Sequence, residues 1–183
     1  MENPLPLMKA RHSYRGAFLP TPVSRETLAH ILEAGRAAPS GCFKQSARFI
    51  AIDDPAIMKG LVKILHGKDG TAPDTVQTAQ AFILVVHDAT PAYGNMSFGA
   101  EDCAAAVTNM LNAITAAGLA SVWLDGALRG ENAAALSRFL NIPPPFSARI
   151  LLPIGVPKEP GQQPPRKPAA QRIGWNTFTP EMR

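Results

Sequence analysis

Residues 103–124, CAAAVTNMLNAITAAGLASVWL, carry no charged side chain. A run this long and apolar reads either as a membrane span or as a buried helix. Asn109, Asn112, Thr108 and Thr115 decide between them, because lipid penalises the two amides. Gly118 then breaks the run. The stretch is read as a soluble helix buried on nearly all sides, running over 99–117 with Gly118 as its C-cap. Ser121 to Leu124 follows as a short strand that ends at Asp125-Gly126.

Working outward, Phe82 to His87 (FILVVH) is a buried strand and Arg48 to Ile52 (RFIAI) another. Between them, Asp54-Pro55 is an N-cap followed by proline, and Ile57, Met58, Leu61, Val62 and Leu65 form a helical stripe up to Gly67. Residues 67–78 read as a loop. Ser24 caps a helix whose face is Leu28, Ile31, Leu32 and Gly35, and Pro39-Ser40-Gly41 stops it. A short helix fits residues 4–11. Downstream, Glu131 to Leu140 is a helix stopped by Pro143-Pro144-Pro145, and Ala148 to Ile154 is a strand. Residues 157–168 hold five prolines and little core material, so they form an extended arm. Trp175 and Phe178 lie beyond it. Short helices interleaved with short strands give an α+β or α/β layer fold, a sheet covered by helices.

The chain has 183 residues, 46% of them apolar and 17% charged. That suits one folded domain and excludes general disorder. So few charges suggest a surface partly covered by another subunit. Eighteen basic and fourteen acidic residues leave +4, with no basic run. Nucleic acid is not implied, but an anionic small ligand is. Cys42 and Cys103 form no CxxC, which excludes a disulfide scaffold and favours a reducing compartment. The N-terminus has no signal-peptide core, so a cytoplasmic location is expected.

Protein-only chemistry is hard to build here. GxSxG, HExxH, Walker and GxGxxG patterns are absent from the sequence. His12, His30, His66 and His87 lack metal-ligand spacing, with His30 and His66 read as surface helix residues. Asp54 is explained as a helix cap, and Glu101-Asp102 as part of a helix N-terminus. No catalytic side chain and no metal ligand emerges, so a cofactor would carry the chemistry.

Four segments could serve such a cofactor. Arg11-His12-Ser13-Tyr14-Arg15 offers two planar guanidinium forks and a hydroxyl to a phosphate, or is a solvated basic turn. Pro39-Ser40-Gly41-Cys42-Phe43-Lys44-Gln45 allows close backbone approach to a flat ligand, or simply ends a helix. Trp123-Leu124-Asp125-Gly126 lies beyond a strand end. Arg166-Lys167 is a second basic pair, on the arm.

Taken in order, these segments resemble the nitroreductase family of FMN enzymes over residues 7–175. The central helix Glu101-Asp102-Cys103 to Leu111 and the C-terminal Leu151-Leu152-Pro153-Ile154-Gly155, Arg166-Lys167-Pro168 and Gly174-Trp175-Asn176 add to the likeness. The resemblance implies an α+β fold with a central, mainly antiparallel sheet flanked by helices. Residues 1–156 would form the FMN-binding domain, and 157–183 an extended C-terminal arm of that same domain. It also implies a homodimer with FMN at the interface. Arg11, Ser13 and Arg166 would hold the phosphate, with His12 and Lys167 nearby. Arg15 would lie near the flavin pyrimidine edge, where positive charge stabilises an anionic reduced ring. Pro39, Ser40, Gly41, Phe43 and Gln45 would reach the cofactor from the other subunit. Leu124, Asp125 and Gly126 would lie beside the ring, the Asp125-Gly126 backbone facing N5.

The implied reaction is hydride transfer from NAD(P)H to flavin N5, then to a nitroaromatic, a quinone or a related small-molecule acceptor, in a ping-pong cycle. Phe43 stands where the family usually has Asn, and Ser46-Ala47 where it has Pro-Trp. An aromatic there can stack on a ring or narrow the pocket. Other readings therefore stay open: a reductase or dehalogenase for a non-nitro acceptor, a flavin-binding protein without NAD(P)H turnover, or a dimeric structural protein whose flavin site has decayed. The choice between NADH and NADPH also stays open.

Overall fold

The computed structural model describes residues 3–66 and 71–182. Among the described residues six α-helices and four strands follow in the order α1 (Leu5–Ala10), α2 (Arg25–Arg36), β1 (Ala47–Ile52), α3 (Pro55–Ile64), α4 (Asp74–Gln77), β2 (Ala81–Asp88), α5 (Gly99–Ala116), β3 (Ala120–Ser121), α6 (Glu131–Phe139) and β4 (Phe146–Gly155). The strands form one sheet in the order β1-β2-β4-β3, and every neighbouring pair is antiparallel. The fold is α+β.

The run FILVVH is continuous because both faces of β2 are covered. Phe82, Leu84 and Val86 point into one core with Leu61 and Leu65 beside α3 and Leu136 of α6. Ala81, Ile83 and Val85 point into a second core with Leu28 and Ile31 of α2 and Val107, Met110 and Ile114 of α5. Alternate residues of one strand thus feed two separate cores. Helices α2 and α5 cross closely at Gly35, where a Cβ would lie 2.9 Å from Met110. Asn109 Nδ2 donates to the Ala34 carbonyl at 3.1 Å across the same crossing.

The local stop and start signals act as their chemistry predicts. Ser24 accepts from the Thr27 amide, and Asp54 from the Ala56 and Ile57 amides. Gly118 adopts φ +71° after α5.

Several expectations are corrected. Residues 67–70 lie outside the described residues, but Asp74–Gln77 is a helical turn rather than loop, since the Pro73 carbonyl takes two amides and Thr75 and Val76 are buried. Helix α3 ends at Ile64, so His66 lies just past a helix rather than in one. Helix α6 stops before the prolines: Asn141, at φ +54°, turns the chain, and the Ile142 amide returns to the Ser137 carbonyl. Strand β3 covers only Ala120–Ser121, and Leu124 makes an isolated bridge to Leu151. Helix α5 is not buried on nearly all sides. Ala104, Ala105, Asn112 and Thr115 are half-buried and Thr108 is exposed, because the sheet and α2 cover only part of the helix surface. The arm beyond residue 157 is exposed almost throughout, with Trp175 84% exposed.

Candidate functional site

Tyr14 fixes the Arg11–Arg15 segment. Its ring is buried, its amide donates to the Ser121 carbonyl at 2.9 Å, and its hydroxyl donates to the Ala17 carbonyl at 2.6 Å. The same hydroxyl accepts from the Glu159 amide at 3.4 Å, and Gln163 Nε2 donates to the Arg11 carbonyl at 3.2 Å. The start of the arm is thereby laid along the segment. Between them lies a cavity of about 330 Å³ lined by Arg11, Ser13, Arg15, Gln162, Gln163 and Arg166. Residues 150 positions apart in sequence meet there.

The electrostatics of this cavity are unbalanced. Burial, and then the neighbouring Arg166 charge, push the Arg11 guanidinium below its ordinary pKa. Among the described residues neither arginine pairs with a carboxylate. His12 Nδ1 lies 3.1 Å from the Ala10 carbonyl, while its Nε2 is buried without a partner. Gly161 packs against that ring so tightly that a Cβ would sit 1.9 Å from Nε2. Two neighbouring cations and a hydroxyl fit a phosphate monoester, which would relieve the repulsion and accept several hydrogen bonds; His12 is not among the lining residues. Lys167 is exposed and does not line the cavity.

The Pro39–Gln45 loop lies elsewhere. Pro39, Ser40 and Gln45 line a second cavity, of about 290 Å³, with Arg48, Phe49 and Asp102. It shares no lining residue with the first. The loop contains a single 3₁₀ turn, Gly41–Phe43, and three non-glycine residues in the left-handed region: Cys42 (φ +50°), Phe43 (φ +53°) and Gln45 (φ +51°). Such backbone costs energy and persists only where the surroundings enforce it. Phe43 is 80% exposed. The Gln45 amide donates to Ser40 Oγ, and the Arg48 guanidinium donates to the Gln45 carbonyl. Gly41 is required by close approach, since a Cβ there would sit 2.3 Å from the Phe98 ring.

The Leu124–Gly126 turn is braced from its side chains. Leu124 exchanges both backbone hydrogen bonds with Leu151 at 3.0 Å. Asp125 pairs with Arg129 at 2.7 Å and with Arg149 at 3.0 Å. Arg149 is available because the register slips between Val85 and Val86, leaving it as the extra residue of β4. Gly126 is exposed, and a Cβ there would meet nothing within 4 Å.

The structure therefore unites Arg11, Ser13, Arg15 and Arg166 in one cavity and sets His12 against Gly161. It leaves Pro39–Gln45 and Leu124–Gly126 at separate places on the chain. Sequence reasoning missed Gly161, Phe98 and above all Asp102, whose partners are far away in sequence.

Among the described residues no cluster of three or more His, Cys, Asp or Glu could hold a metal ion. No helix among them is long and apolar enough to cross a membrane. The two cysteines differ sharply. Burial, reinforced by the Asp102 charge, pushes the Cys103 thiol up to about 11, while Cys42 is exposed. At pH 8 only about 0.1% of such a thiol is ionised. A maleimide should therefore label Cys42 alone in the native protein, with Cys103 reacting only after unfolding. Mass spectrometry of the labelled peptides checks this.

Comparison with known proteins bears on the fold and the family. The nitroreductase family profile matches residues 8–156. A protein of Archaeoglobus fulgidus, provisionally named NADH dehydrogenase/NAD(P)H nitroreductase, is 30% identical over 159 residues, covering 87% of this chain and 88% of its own length. A crystal structure of a protein with the same provisional name, from Bacteroides thetaiotaomicron, superposes with a TM-score of 0.81 at 24% identity, covering 97% of this chain and all of that one. An FMN-dependent nitroreductase from Clostridium difficile gives 0.79 at 21% identity, with 95% and 99% covered. The match runs from the end of α1 through the sheet to the last residues of β4, and on these grounds the chain belongs to the nitroreductase family of oxidoreductases.

Proposed function

We propose that the protein is an FMN-dependent NAD(P)H oxidoreductase acting on a nitroaromatic, quinone or related acceptor. The observation that carries this reading is the cavity that Arg11, Ser13 and Arg166 line together, where burial and the Arg166 charge both act on the Arg11 guanidinium. When bound, FMN supplies two-electron redox chemistry between NAD(P)H and the acceptor, which use one site in turn in a ping-pong cycle.

The chain's own residues bind and orient. Arg11 and Arg166 neutralise the phosphate, Ser13 donates to it, and His12 and Lys167 add positive or donor character close by. Arg15 supplies charge near the flavin pyrimidine edge. Asp125 forms ion pairs with Arg129 and Arg149, which tie its carboxylate to the Leu124–Gly126 turn. The turn then presents its backbone to the ring. Pro39, Ser40, Gly41, Phe43 and Gln45 complete the site from a second copy in a homodimer, in keeping with a loop whose cavity shares no lining residue with the phosphate cavity and with the uncharged, half-buried side of α5. The arm at 157–183 belongs to the same domain as residues 1–156, because Gln163 and Arg166 complete a cavity begun by Arg11. The cytoplasm is the proposed location.

Phe43 favours a second reading, in which the aromatic narrows the site, so that the acceptor is not a nitro compound or FMN is held without NAD(P)H turnover. The visible spectrum of the purified protein, followed under anaerobic NAD(P)H, separates turnover from binding alone. A flavin spectrum that bleaches is expected, and steady-state rates with nitro and non-nitro acceptors then decide the acceptor class. A flavin spectrum that persists favours FMN held without NAD(P)H turnover, and no flavin after reconstitution overturns both readings.

A further inference from the structure

Asp102 lies in the first turn of α5 and is only 3% exposed. Its carboxylate faces away from its own helix. Oδ1 accepts from the Gly41 amide at 2.8 Å, and Oδ2 accepts from the Ser46 hydroxyl at 2.6 Å and the Ser46 amide at 3.4 Å. Ser46 is itself buried, and both of its donors point at the one carboxylate. These two residues bracket the segment that contains Cys42, Phe43 and Gln45, the three residues in left-handed backbone. Phe98, the N-cap residue of α5, packs against Gly41.

Burying a carboxylate is costly unless it is hydrogen-bonded throughout, and an apolar residue would fill the space without that cost. A helix-capping role does not account for Asp102, because its recorded partners belong to another segment. What the three bonds do is close both ends of a strained loop on the N-terminal turn of the longest helix.

We propose that Asp102 is the positioning residue of the Pro39–Gln45 loop, acting through Gly41 and Ser46 to hold Phe43 in its outward presentation. The consequence for the cofactor rests on the reading that this loop reaches FMN in a second copy. A loop held in advance binds more tightly, because its ordering cost is met on folding rather than on binding.

The test uses Asp102→Asn and Ser46→Ala in the full-length protein, with amide hydrogen exchange as the first readout. Protection should fall about tenfold or more over residues 40–46 in Asp102→Asn and over 44–46 in Ser46→Ala, while α5 and the sheet keep theirs. FMN titration is the second readout: Kd should rise about tenfold, with kcat at saturating FMN within about twofold of the parent. Simple loss of folded protein would lower kcat and leave the Kd of the folded fraction unchanged. Unchanged exchange at 40–46 overturns the proposal. Faster exchange with unchanged FMN affinity supports the clamp and overturns the placement of the loop on the cofactor. If Asp102→Asn fails to fold, Ser46→Ala alone decides, since it leaves the Gly41 bond in place and should still free the 44–46 end.

Discussion

Replacing Arg11 by alanine should weaken FMN binding by about 1.5–3 kcal/mol, or roughly 10- to 150-fold in Kd, the range for a hydrogen bond to a charged group. Arg11 is the more buried of the two facing guanidiniums, while Arg166 lies exposed on the arm. Arg166→Ala should therefore cost less and lose its effect sooner as salt is added. The same geometry predicts an opposite effect without ligand. Burial and then the Arg166 charge disfavour the charged form of Arg11, so the unliganded Arg11→Ala protein should melt no lower than the parent, or slightly higher. FMN-dependent stabilisation should shrink. Fluorescence titration and paired melting curves, with and without FMN, check both parts. Equal FMN affinity in Arg11→Ala and the parent would mean that the phosphate is held elsewhere.

Phe82→Ala should lower the unfolding free energy by about 3–5 kcal/mol. Phe82 is fully buried, lies opposite Ile52 on one side and Pro153 on the other, and sits in the core that also contains Tyr14 and Phe18. Against a total stability of about 5–15 kcal/mol this is a large share. Urea denaturation at several fixed protein concentrations measures it, because association would couple to unfolding in the proposed homodimer. A loss under about 2 kcal/mol would mean that the neighbouring side chains collapse into the space. Tyr14 anchors the phosphate segment through this core, so the variant should also release FMN at lower urea than the parent.

What could be read from the sequence was what is decided locally. The caps at Ser24 and Asp54, the turn at Gly118 and the apolar run of β2 depend on neighbours a few residues away, and all take the form their chemistry predicts. The length of β3 depends on how far β4 runs beside it, and the end of α6 on whether Asn141 can enter the left-handed region. Neither is written in the local pattern. The site divides in the same way. Arg11 and Ser13 carry a recognisable chemistry, but only the family likeness linked them to Arg166. Asp102 was read as a helix-end carboxylate because its partners, Gly41 and Ser46, lie some 60 positions upstream.

The place of β4 in the sheet also bears on the order in which the molecule can assemble. Leu84 of β2 pairs with Leu151 of β4, so one side of the central strand stays unsatisfied until residue 155 is available. A chain still growing from its N-terminus would expose that side as a bare strand edge, apolar on both faces and prone to pair with other chains. Contacts this distant in sequence also favour slow folding. Arg166 follows only after β4, so the cavity proposed to receive the phosphate is closed last, when the sheet that supports it is already whole.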